Sequence, residues 1–176
     1  MLLRLLTRSG EETQVVGAVL GRLLQAGDIL AVVGDLGTGK TCLTQGIGRG
    51  MGITRPITSP TFTLINEYYP PPPAPPLFHV DLYRLQDAST EAVDIGLLEL
   101  LDEAGVCVIE WADRARGLLP PSHLWIELQW QQDETRRIQF TAYGVRYHDL
   151  LRQFAAILAA SGWDVEMQEL EDSPCF

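Results

Sequence analysis

The amino-acid sequence predicts a single α/β domain: a central mixed sheet flanked by helices, with an antiparallel hairpin late in the chain. Two unbroken apolar runs, 29–33 and 106–109, are typical of strands buried inside a parallel sheet. Between residues 11 and 25, paired apolar residues recur every four positions and form one face of a helix. Two stretches of strict alternation within 124–142 predict the hairpin, which turns near 133–134.

The other segments suit the same architecture. The predicted elements are a first strand at 1–6, a helix at 11–25 capped by Ser9, a strand at 62–69, its return strand at 77–83, a helix at 90–103 broken at Gly96, and a closing helix at 145–159. The proline-rich run 70–76 predicts a stiff connection between two strands. Residues 161–176 are acidic and unpatterned, which predicts a loose tail and a domain spanning 1–160.

Composition narrows the class of protein. A chain of 176 residues with 46% hydrophobic content is long and apolar enough for one folded domain. A formal net charge of −10 argues against strong nucleic-acid binding by this chain alone, because phosphate contacts need Lys and Arg. No apolar run approaches the ~20 residues of a membrane span. Three cysteines without metal-like spacing fit a reducing compartment, so we expect a cytoplasmic protein.

The segment after the first buried run carries the most specific motif. It fits G-x-x-x-x-G-K-[ST], the phosphate-binding P-loop, as Gly34-Asp35-Leu36-Gly37-Thr38-Gly39-Lys40-Thr41. An apolar strand precedes it, and a segment able to form a helix starts at Cys42, which is the context that a P-loop needs. A plain glycine-rich turn would leave Lys40 and Thr41 unexplained. The sequence therefore predicts a P-loop NTPase.

Each part of the motif has a chemical role. Gly34, Gly37 and Gly39 permit backbone angles and a close approach to phosphate that side chains would block. The loop N–H groups and the helix N-terminus favour an anion. Lys40 is expected to bridge the β- and γ-phosphates, and the Thr41 hydroxyl to ligate Mg²⁺.

Two acidic residues are candidates for completing the site. Asp81 and Glu110 each follow a predicted buried strand, where P-loop proteins place the acid that holds or orients Mg²⁺. Sequence spacing leaves open which of them contacts the metal. His79 shares a strand face with Asp81 and is expected to be packed rather than to act as a base.

The hydroxyl side chains in residues 58–63 suit a loop that senses the γ-phosphate. The Asn-Lys-x-Asp motif for guanine is absent, which favours adenine.

Four segments in order resemble the TsaE (YjeE) family, the bacterial ATPases of tRNA threonylcarbamoyladenosine biosynthesis. The segments are Gly34 to Thr41, Ser59-Pro60-Thr61-Phe62-Thr63-Leu64, His79-Val80-Asp81-Leu82-Tyr83-Arg84-Leu85 and Glu110-Trp111. The resemblance implies a small ATPase that uses ATP/ADP and Mg²⁺. It implies two partner proteins that form a threonylcarbamoyl transferase, with tRNA reached through them. The proline run is unusual for that family.

The resemblance also assigns roles to residues. It implies that Thr41 and Glu110 are the Mg²⁺ ligands, that Asp81 is a second acid, and that Thr61 or Thr63 is the switch hydroxyl. Motif and resemblance together predict Lys40, Asp81 and Glu110 as the catalytic residues. The predicted nucleotide contacts are Ser9, Gly34, Asp35, Leu36, Gly37, Thr38, Gly39, Lys40, Thr41, Cys42, Thr63, Trp111 and Arg136, with the segment from Ser9 to Thr13 near the adenine.

Two other functions suit the same motif. A small-molecule kinase would fit the length, but such kinases usually carry an arginine-bearing lid. The arginines in plausible places for one are Arg84, Arg114 and Arg116. The third possible function is that of a binding protein that is gated by a nucleotide and hydrolyses it negligibly. Phosphate transfer to a metabolite would favour the kinase, and binding without turnover would favour the binding protein.

Overall fold

The computed structural model describes residues 1–85, 88–102, 104–131 and 135–169. Within these ranges eight strands form one sheet. The strands are β1 Leu2–Thr7, β2 Ile29–Val33, β3 Ile65–Tyr68, β4 Leu77–Asp81, β5 Val106–Glu110, β6 His123–Trp130, β7 Arg136–Tyr143 and β8 Val165–Gln168. The helices are α1 Gly10–Gly21, α2 Lys40–Gly50, α3 Ala88–Asp94, α4 Leu97–Asp102 and α5 Val145–Ala160, with a 3₁₀ segment at Ala112–Leu118. The predicted mixed α/β domain is confirmed.

The sheet is parallel in its middle and antiparallel at its edges. Its strand order is β3-β4-β5-β2-β6-β7-β1-β8. Strands β4, β5, β2 and β6 run parallel, while β3 pairs with β4, and β7 with both β6 and β1, in antiparallel fashion. The carboxyl ends of the four parallel strands therefore meet at one edge, where α/β sheets bind their ligands. The loop from β2 to α2 lies at this edge.

The sheet separates two apolar cores. On one face, Leu20, Leu43 and Phe154 from the helices pack with Leu30 and Phe140 of the sheet. On the other face, a second core joins β4 and β5 to α4 and the 3₁₀ segment. Strand β2 is buried at all of its positions because both faces are covered, which explains why its sequence is an unbroken apolar run.

Helices α1 and α2 approach each other through glycines. A Cβ on Gly17 would lie 2.5 Å from the carbonyl oxygen of Leu43, and one on Gly46 would lie 2.3 Å from that of Gln14. The two backbones are too close for a side chain at either position. The glycines of α2, which lower its helix propensity, thus allow it to pack tightly against α1.

The predicted elements are largely confirmed, with shifts at their ends. Ser9 caps α1: its Oγ accepts a hydrogen bond from the Glu12 N–H at 3.1 Å. The helix ends at Gly21, before the predicted end at 25. The predicted strand at 62–69 is shorter, since residues 61–63 form a turn. Gly96, with φ of +82°, separates α3 from α4 as expected.

The prediction of a loose tail from residue 161 is wrong for the residues that the structure describes. Strand β8 pairs antiparallel with β1. Trp163 and Val165 are half-buried and pack against the core formed with α5, and residues 163–168 alternate apolar and polar side chains, the pattern of a strand with one covered face. The domain therefore extends past the predicted boundary at 160. Residues 170–176, and the predicted hairpin turn at 133–134, lie outside the described residues.

The helices that the structure describes include none that is both long enough and apolar enough to cross a membrane.

Candidate nucleotide-binding site

The P-loop has the backbone geometry that its glycines permit. Gly34, Gly37 and Gly39 have φ of +139°, +82° and +102°, values that residues with a Cβ rarely adopt. A Cβ on Gly34 would also lie 2.3 Å from the carbonyl oxygen of Leu128 on β6. Helix α2 begins at Lys40, directly after the loop. Its free N–H groups and its positive dipole end therefore face the space that the loop encloses.

Lys40 is folded back over its own loop. Its Nζ donates hydrogen bonds to the carbonyl oxygens of Gly34 at 2.7 Å and Asp35 at 2.9 Å. The same nitrogen lies 3.8 Å from the centre of the Trp111 ring, within the range of a cation–π contact. Only 5% of the residue is exposed. The ammonium is thus held by two carbonyls and one aromatic face at the position where phosphates are expected.

Burial lowers the pKa of Lys40 from its ordinary value of 10.5. The cause is desolvation, which disfavours the charged form. The negative charges of Glu110, Asp81, Asp35 and Asp113 act in the opposite direction and raise the pKa. The site therefore combines one desolvated cation with several acids, and perturbed ionisable groups of this kind cluster at functional sites.

Glu110 lies at the end of β5 and is held by side chains from three directions. Its Oε2 accepts a hydrogen bond from the Thr41 hydroxyl at 3.0 Å. Its Oε1 accepts one from Thr44 at 3.3 Å and lies 2.7 Å from Nε2 of His79. Only 2% of the residue is exposed. Glu110 is therefore not a solvated carboxylate at a strand end.

Asp81 lies beside Glu110, since the two are register partners at the ends of β4 and β5. Its carboxylate contacts a different set of groups. Oδ2 accepts hydrogen bonds from Ser59 at 3.0 Å and Thr61 at 2.5 Å, and Oδ1 accepts one from the Tyr83 N–H at 2.9 Å. Asp81 thus anchors the hydroxyl-rich loop, whereas Glu110 contacts the P-loop helix.

The structure brings Thr61, and not Thr63, to the acids. The Thr63 hydroxyl donates to the side-chain oxygen of Asn66 at 3.0 Å and contacts the carbonyl oxygen of Pro60 at 3.5 Å. Residues 61–63 form a turn, so alternate side chains do not share one face as they would in a strand. Placing Thr63 at the nucleotide is therefore not supported by the geometry. Ser59, which reaches Asp81, was not among the predicted contacts.

Three predicted contacts lie around the mouth of the loop. Trp111 has a left-handed backbone with φ of +61°, and its ring packs 4.9 Å from that of Tyr83. Arg136 lies beside the loop, its Nε 3.4 Å from where a Cβ on Gly39 would be. The Sγ of Cys42 donates to the carbonyl oxygen of Gly10 at 3.1 Å, which joins the start of α1 to the P-loop.

Ser9 has a structural role in the described chain. Its hydroxyl caps α1, and the Thr13 hydroxyl donates to its carbonyl oxygen at 3.1 Å. Its neighbour Gly10 contacts the P-loop helix through Cys42. The start of α1 is therefore close to the loop, and direct contact between Ser9 and a nucleotide stays a prediction.

The P-loop, the two acids and the hydroxyl-rich loop enclose a cleft of about 230 Å³. Its lining residues are Leu36, Gly37, Gly39, Lys40, Thr41, Cys42, Ser59, Thr61, Asp81, Tyr83, Glu110 and Trp111. Larger cavities of about 660 and 600 Å³ lie beside β8 and at the opposite end of β2. We place the site in the smaller cleft because the P-loop, the lysine and both acids converge there, and function follows from that chemistry rather than from volume.

The residues present fit a magnesium nucleotide. The loop has no side chain that could obstruct a phosphate at Gly34, Gly37 or Gly39. The Thr41 hydroxyl and the Glu110 carboxylate place two oxygen atoms 3.0 Å apart at the start of α2. Mg²⁺ prefers oxygen ligands of this kind, together with water and substrate phosphates.

Four side chains at or near this site were not among the predicted contacts. Ser59 and Tyr83 line the cleft, and Thr44 and His79 bind Glu110 from behind. The run of hydroxyl side chains in residues 58–63 could have identified Ser59 as a residue of the site. Thr44 follows the P-loop by one helical turn from Lys40, so helix periodicity was a signal for it. The sequence carries no signal that His79 meets a residue 31 positions away.

The sequence and the fold both match known proteins. Residues 7–138 match the family model described as threonylcarbamoyl adenosine biosynthesis protein TsaE. A relative from Bacillus subtilis, described as tRNA threonylcarbamoyladenosine biosynthesis protein TsaE, is 41% identical over 149 residues, which cover 85% of this chain and 91% of the relative. A relative of the same description from Treponema pallidum is 40% identical over 136 residues, covering 77% and 98%.

A solved structure has the same fold. The crystal structure of YdiB from Bacillus subtilis superimposes with a TM-score of 0.77 at 36% sequence identity. The similarity covers 89% of this chain and 96% of that one. Because the family model matches well over half of the chain, and the relatives match over most of their length, this chain belongs to the TsaE family of tRNA threonylcarbamoyladenosine biosynthesis proteins.

Proposed function

We propose that this protein binds Mg-ATP at the P-loop and hydrolyses it to ADP and inorganic phosphate. Hydrolysis supports turnover of the threonylcarbamoyl transferase that modifies the adenosine next to the tRNA anticodon. The observation that carries the proposal is the contact between the P-loop hydroxyl of Thr41 and the buried carboxylate of Glu110. A hydroxyl and an acid brought together beside a P-loop lysine are the parts that nucleotide hydrolases use to hold Mg²⁺.

Lys40 and the start of α2 would bind the phosphates. Phosphate oxygens replace the carbonyl oxygens of Gly34 and Asp35 as partners of the Lys40 ammonium, which then neutralises charge at the β- and γ-phosphates. Thr41 and Glu110 would hold Mg²⁺, which would supply positive charge to offset the negative charge that develops on the phosphates. The loop N–H groups fix the orientation of the triphosphate.

Asp81 would orient the attacking water. Its Oδ2 already accepts hydrogen bonds from Ser59 and Thr61, so the carboxylate and the two hydroxyls form one polar group facing the cleft. Water bound there would attack the γ-phosphorus as the bond to the β–γ bridging oxygen breaks, so that ADP leaves and the oxygen and protons of the water pass to the inorganic phosphate and the solvent. This assigns different tasks to the two acids, with Glu110 at the metal and Asp81 at the water.

The partners in this proposal are the two proteins of the transferase complex, with tRNA bound through them in the cytoplasm. The formal net charge of −10 supports an indirect contact with tRNA, because the chain offers little positive charge for a phosphate backbone. Family membership supports the pathway. Hydrolysis is expected to be slow for the isolated chain and faster with both partners present.

The test measures ATP turnover by the purified chain, alone and with both transferase proteins, together with the yield of modified tRNA. We expect both quantities to rise when the wild-type chain joins the complex. The Lys40→Ala protein is the matched control and should raise neither. No change in turnover or yield with the wild-type chain would contradict the proposal. Nucleotide binding without any turnover by the complete complex would favour the gated binding protein.

The kinase alternative finds no specific support at the site. Arg84 lies over the Phe62 ring at 3.9 Å, and Arg114 donates to the carbonyl oxygen of Leu85 at 2.6 Å. Arg116 lies against a tryptophan ring. None of the three lines the described cleft. Arg114 lies 5.7 Å and 5.9 Å from the ring centres of Tyr83 and Trp111, which line the cleft, but it does not line the cleft itself.

A further inference from the structure

His79 is a fully buried histidine in the middle of β4, and it faces the acid of the neighbouring strand. None of its surface is exposed. Its Nε2 lies 2.7 Å from Oε1 of Glu110. The other oxygen of Glu110 accepts a hydrogen bond from Thr41, and we assign Nε2 as the ring nitrogen that donates to Oε1. The contact is therefore a short hydrogen bond from the ring to Glu110, formed away from water.

The two oxygens of Glu110 have different partners. Oε1 faces the protein interior, where His79 and the Thr44 hydroxyl both approach it. Oε2 faces the P-loop, where the Thr41 hydroxyl donates a hydrogen bond to it. The Thr44 hydroxyl also lies 3.1 Å from the carbonyl oxygen of Lys40, so His79 is the donor that depends on Oε1. If the carboxylate rotated away, the buried Nε2 of His79 would lose its acceptor, which is costly.

We propose that His79 is a positioning residue that, together with Thr44, fixes the Glu110 carboxylate so that Oε2 is presented to Mg²⁺ beside Thr41. The inference rests on the proposed function, since it concerns the metal of that site. Side chains behind a metal ligand commonly orient it and tune its affinity in this way. His79 does not line the cleft, so it would act only through Glu110.

Packing alone does not account for a histidine at this position. The other ring nitrogen, Nδ1, is buried without a hydrogen-bond partner, and burying an unpaired polar atom is unfavourable. The neighbouring strand positions Leu77, Phe78 and Val80 are apolar and buried. An apolar side chain at 79 would avoid the unpaired nitrogen but would leave Oε1 of Glu110 without its shortest hydrogen bond.

The test compares His79→Leu with His79→Gln. A glutamine side chain can donate from its amide nitrogen to Oε1, and a leucine cannot. ADP binding is measured by calorimetry in excess chelator and across a Mg²⁺ titration, and thermal unfolding of the nucleotide-free protein is followed in parallel. We expect His79→Leu to need about 10-fold more Mg²⁺ for half-maximal enhancement of ADP binding, the lower end of the range for such outer partners. Its metal-free ADP affinity should stay within about twofold of wild type, because the P-loop contacts are unchanged.

Thr44→Val and His123→Leu are measured beside the two His79 variants. His79→Gln should recover most of the Mg²⁺ response. Thr44→Val, which removes the longer hydrogen bond to the same oxygen, should shift the Mg²⁺ response in the same direction by less. His123→Leu is the matched control, since this histidine lies at the start of β6 and contacts the Pro120 carbonyl oxygen instead. It should leave the Mg²⁺ response unchanged.

Each outcome decides between positioning and a general structural role. Equal losses of ADP affinity with and without Mg²⁺ in His79→Leu, or an unchanged Mg²⁺ response, would overturn the inference. If His79→Leu does not fold, a normal Mg²⁺ response in Thr44→Val together with an abnormal one in His79→Gln would also overturn it. A wild-type protein whose ADP binding ignores Mg²⁺ would instead refute the proposed function itself, which makes the two failures distinguishable.

Discussion

The ammonium of Lys40 lies 3.8 Å from the centre of the Trp111 ring. The contact joins the first residue of α2 to the residue after β5, which has a left-handed backbone with φ of +61°. A residue with a Cβ is disfavoured in this conformation by about 1–2 kcal/mol. The strained backbone directs the indole over the P-loop lysine, so the ring covers the charge that would bind phosphate.

This contact predicts a fluorescence signal. When phosphate oxygens attract Lys40, the ammonium moves from the Trp111 ring, and the emission of that tryptophan should change on addition of ADP. Trp111→Phe should remove the signal while retaining ADP binding by calorimetry. Trp163→Phe is the control, since that ring packs against the core with β8, and it should keep the signal. A response that persists in Trp111→Phe would place the nucleotide away from this ring.

Lys40→Ala should abolish most turnover and leave the fold intact. Removing one preorganised charge from a site of developing negative charge lowers kcat by about 10²–10³-fold. Stability should not fall, because the folded protein currently buries a desolvated cation whose pKa is lowered. Steady-state ATPase assays and urea unfolding measure the two effects. If Lys40→Ala keeps more than about a tenth of wild-type turnover, the loss is smaller than the removal of such a charge should cause. That result would refute the catalytic role of Lys40.

The lowered pKa of Lys40 predicts weaker nucleotide binding at alkaline pH. Phosphate binds the charged ammonium, and the free protein loses that proton at pH values below the 10.5 of an ordinary lysine. ADP binding must then recover a proton, so affinity falls as pH rises through the lowered pKa. Lys40 is the only lysine in the chain, so no other lysine contributes to the effect. Calorimetry across this pH range measures it.

Two controls assign the pH effect. Lys40→Ala should bind ADP weakly and without this pH dependence. Cys42 also lines the cleft, but burial raises its pKa from 9.0. Cys42→Ser should therefore keep the wild-type pH profile. If the profile disappears in Cys42→Ser and survives in Lys40→Ala, the titrating group is the thiol.

Substitutions of Glu110 and Asp81 should have different effects on Mg²⁺ binding and on turnover. Glu110→Ala removes the oxygen beside Thr41 and should raise the Mg²⁺ requirement by more than about 100-fold, beyond the effect of losing an outer partner of a metal ligand. Asp81→Asn should keep the Mg²⁺ requirement but lower kcat by about 10²-fold, the contribution of an oriented acid or base. Mg²⁺ titrations of ADP binding and ATPase assays separate the two. The opposite pattern would exchange the roles of the acids.

Gly17→Ala should destabilise the protein although alanine favours helices. The added methyl group would lie 2.5 Å from the carbonyl oxygen of Leu43 and push α1 away from α2. We expect a loss of about 1–3 kcal/mol in the free energy of unfolding, the cost of overpacking a tight contact. Gly117→Ala has no atom within 4 Å of the new methyl group and should change stability by less than about 0.5 kcal/mol. Urea unfolding measures both, and equal effects would contradict the glycine contact.

Local patterns in the sequence were enough to predict the P-loop and most strands. The motif from Gly34 to Thr41 acts through backbone angles and residues adjacent in sequence, so its geometry is encoded within eight positions. The apolar runs of β2 and β5 predicted buried strands because both faces of each strand pack against other layers. Both acids at the strand ends were predicted on the same grounds.

Contacts between distant residues were decided by the tertiary structure. The register of β4 with β5 brings Asp81 and Glu110 side by side. Only the packing of α2 shows that Thr41 reaches Glu110, and only the path of the loop before β3 shows that Ser59 and Thr61 reach Asp81. The choice of Thr61 over Thr63 depends on a turn whose side chains follow no simple period.

The same distinction explains the missed strand and the role of His79. Residues 163–168 do alternate apolar and polar side chains, but this short run lies in an acidic segment and was missed. Strand β8 forms because it pairs with β1 and because Trp163 and Val165 pack half-buried against the core. His79 meets Glu110 because two strands pair in one register. The sequence by itself determined the P-loop and the acids that could serve it, since those features depend on neighbouring residues. Only the tertiary structure decided which groups those acids hold, because that depends on how strands and helices pack across the whole domain.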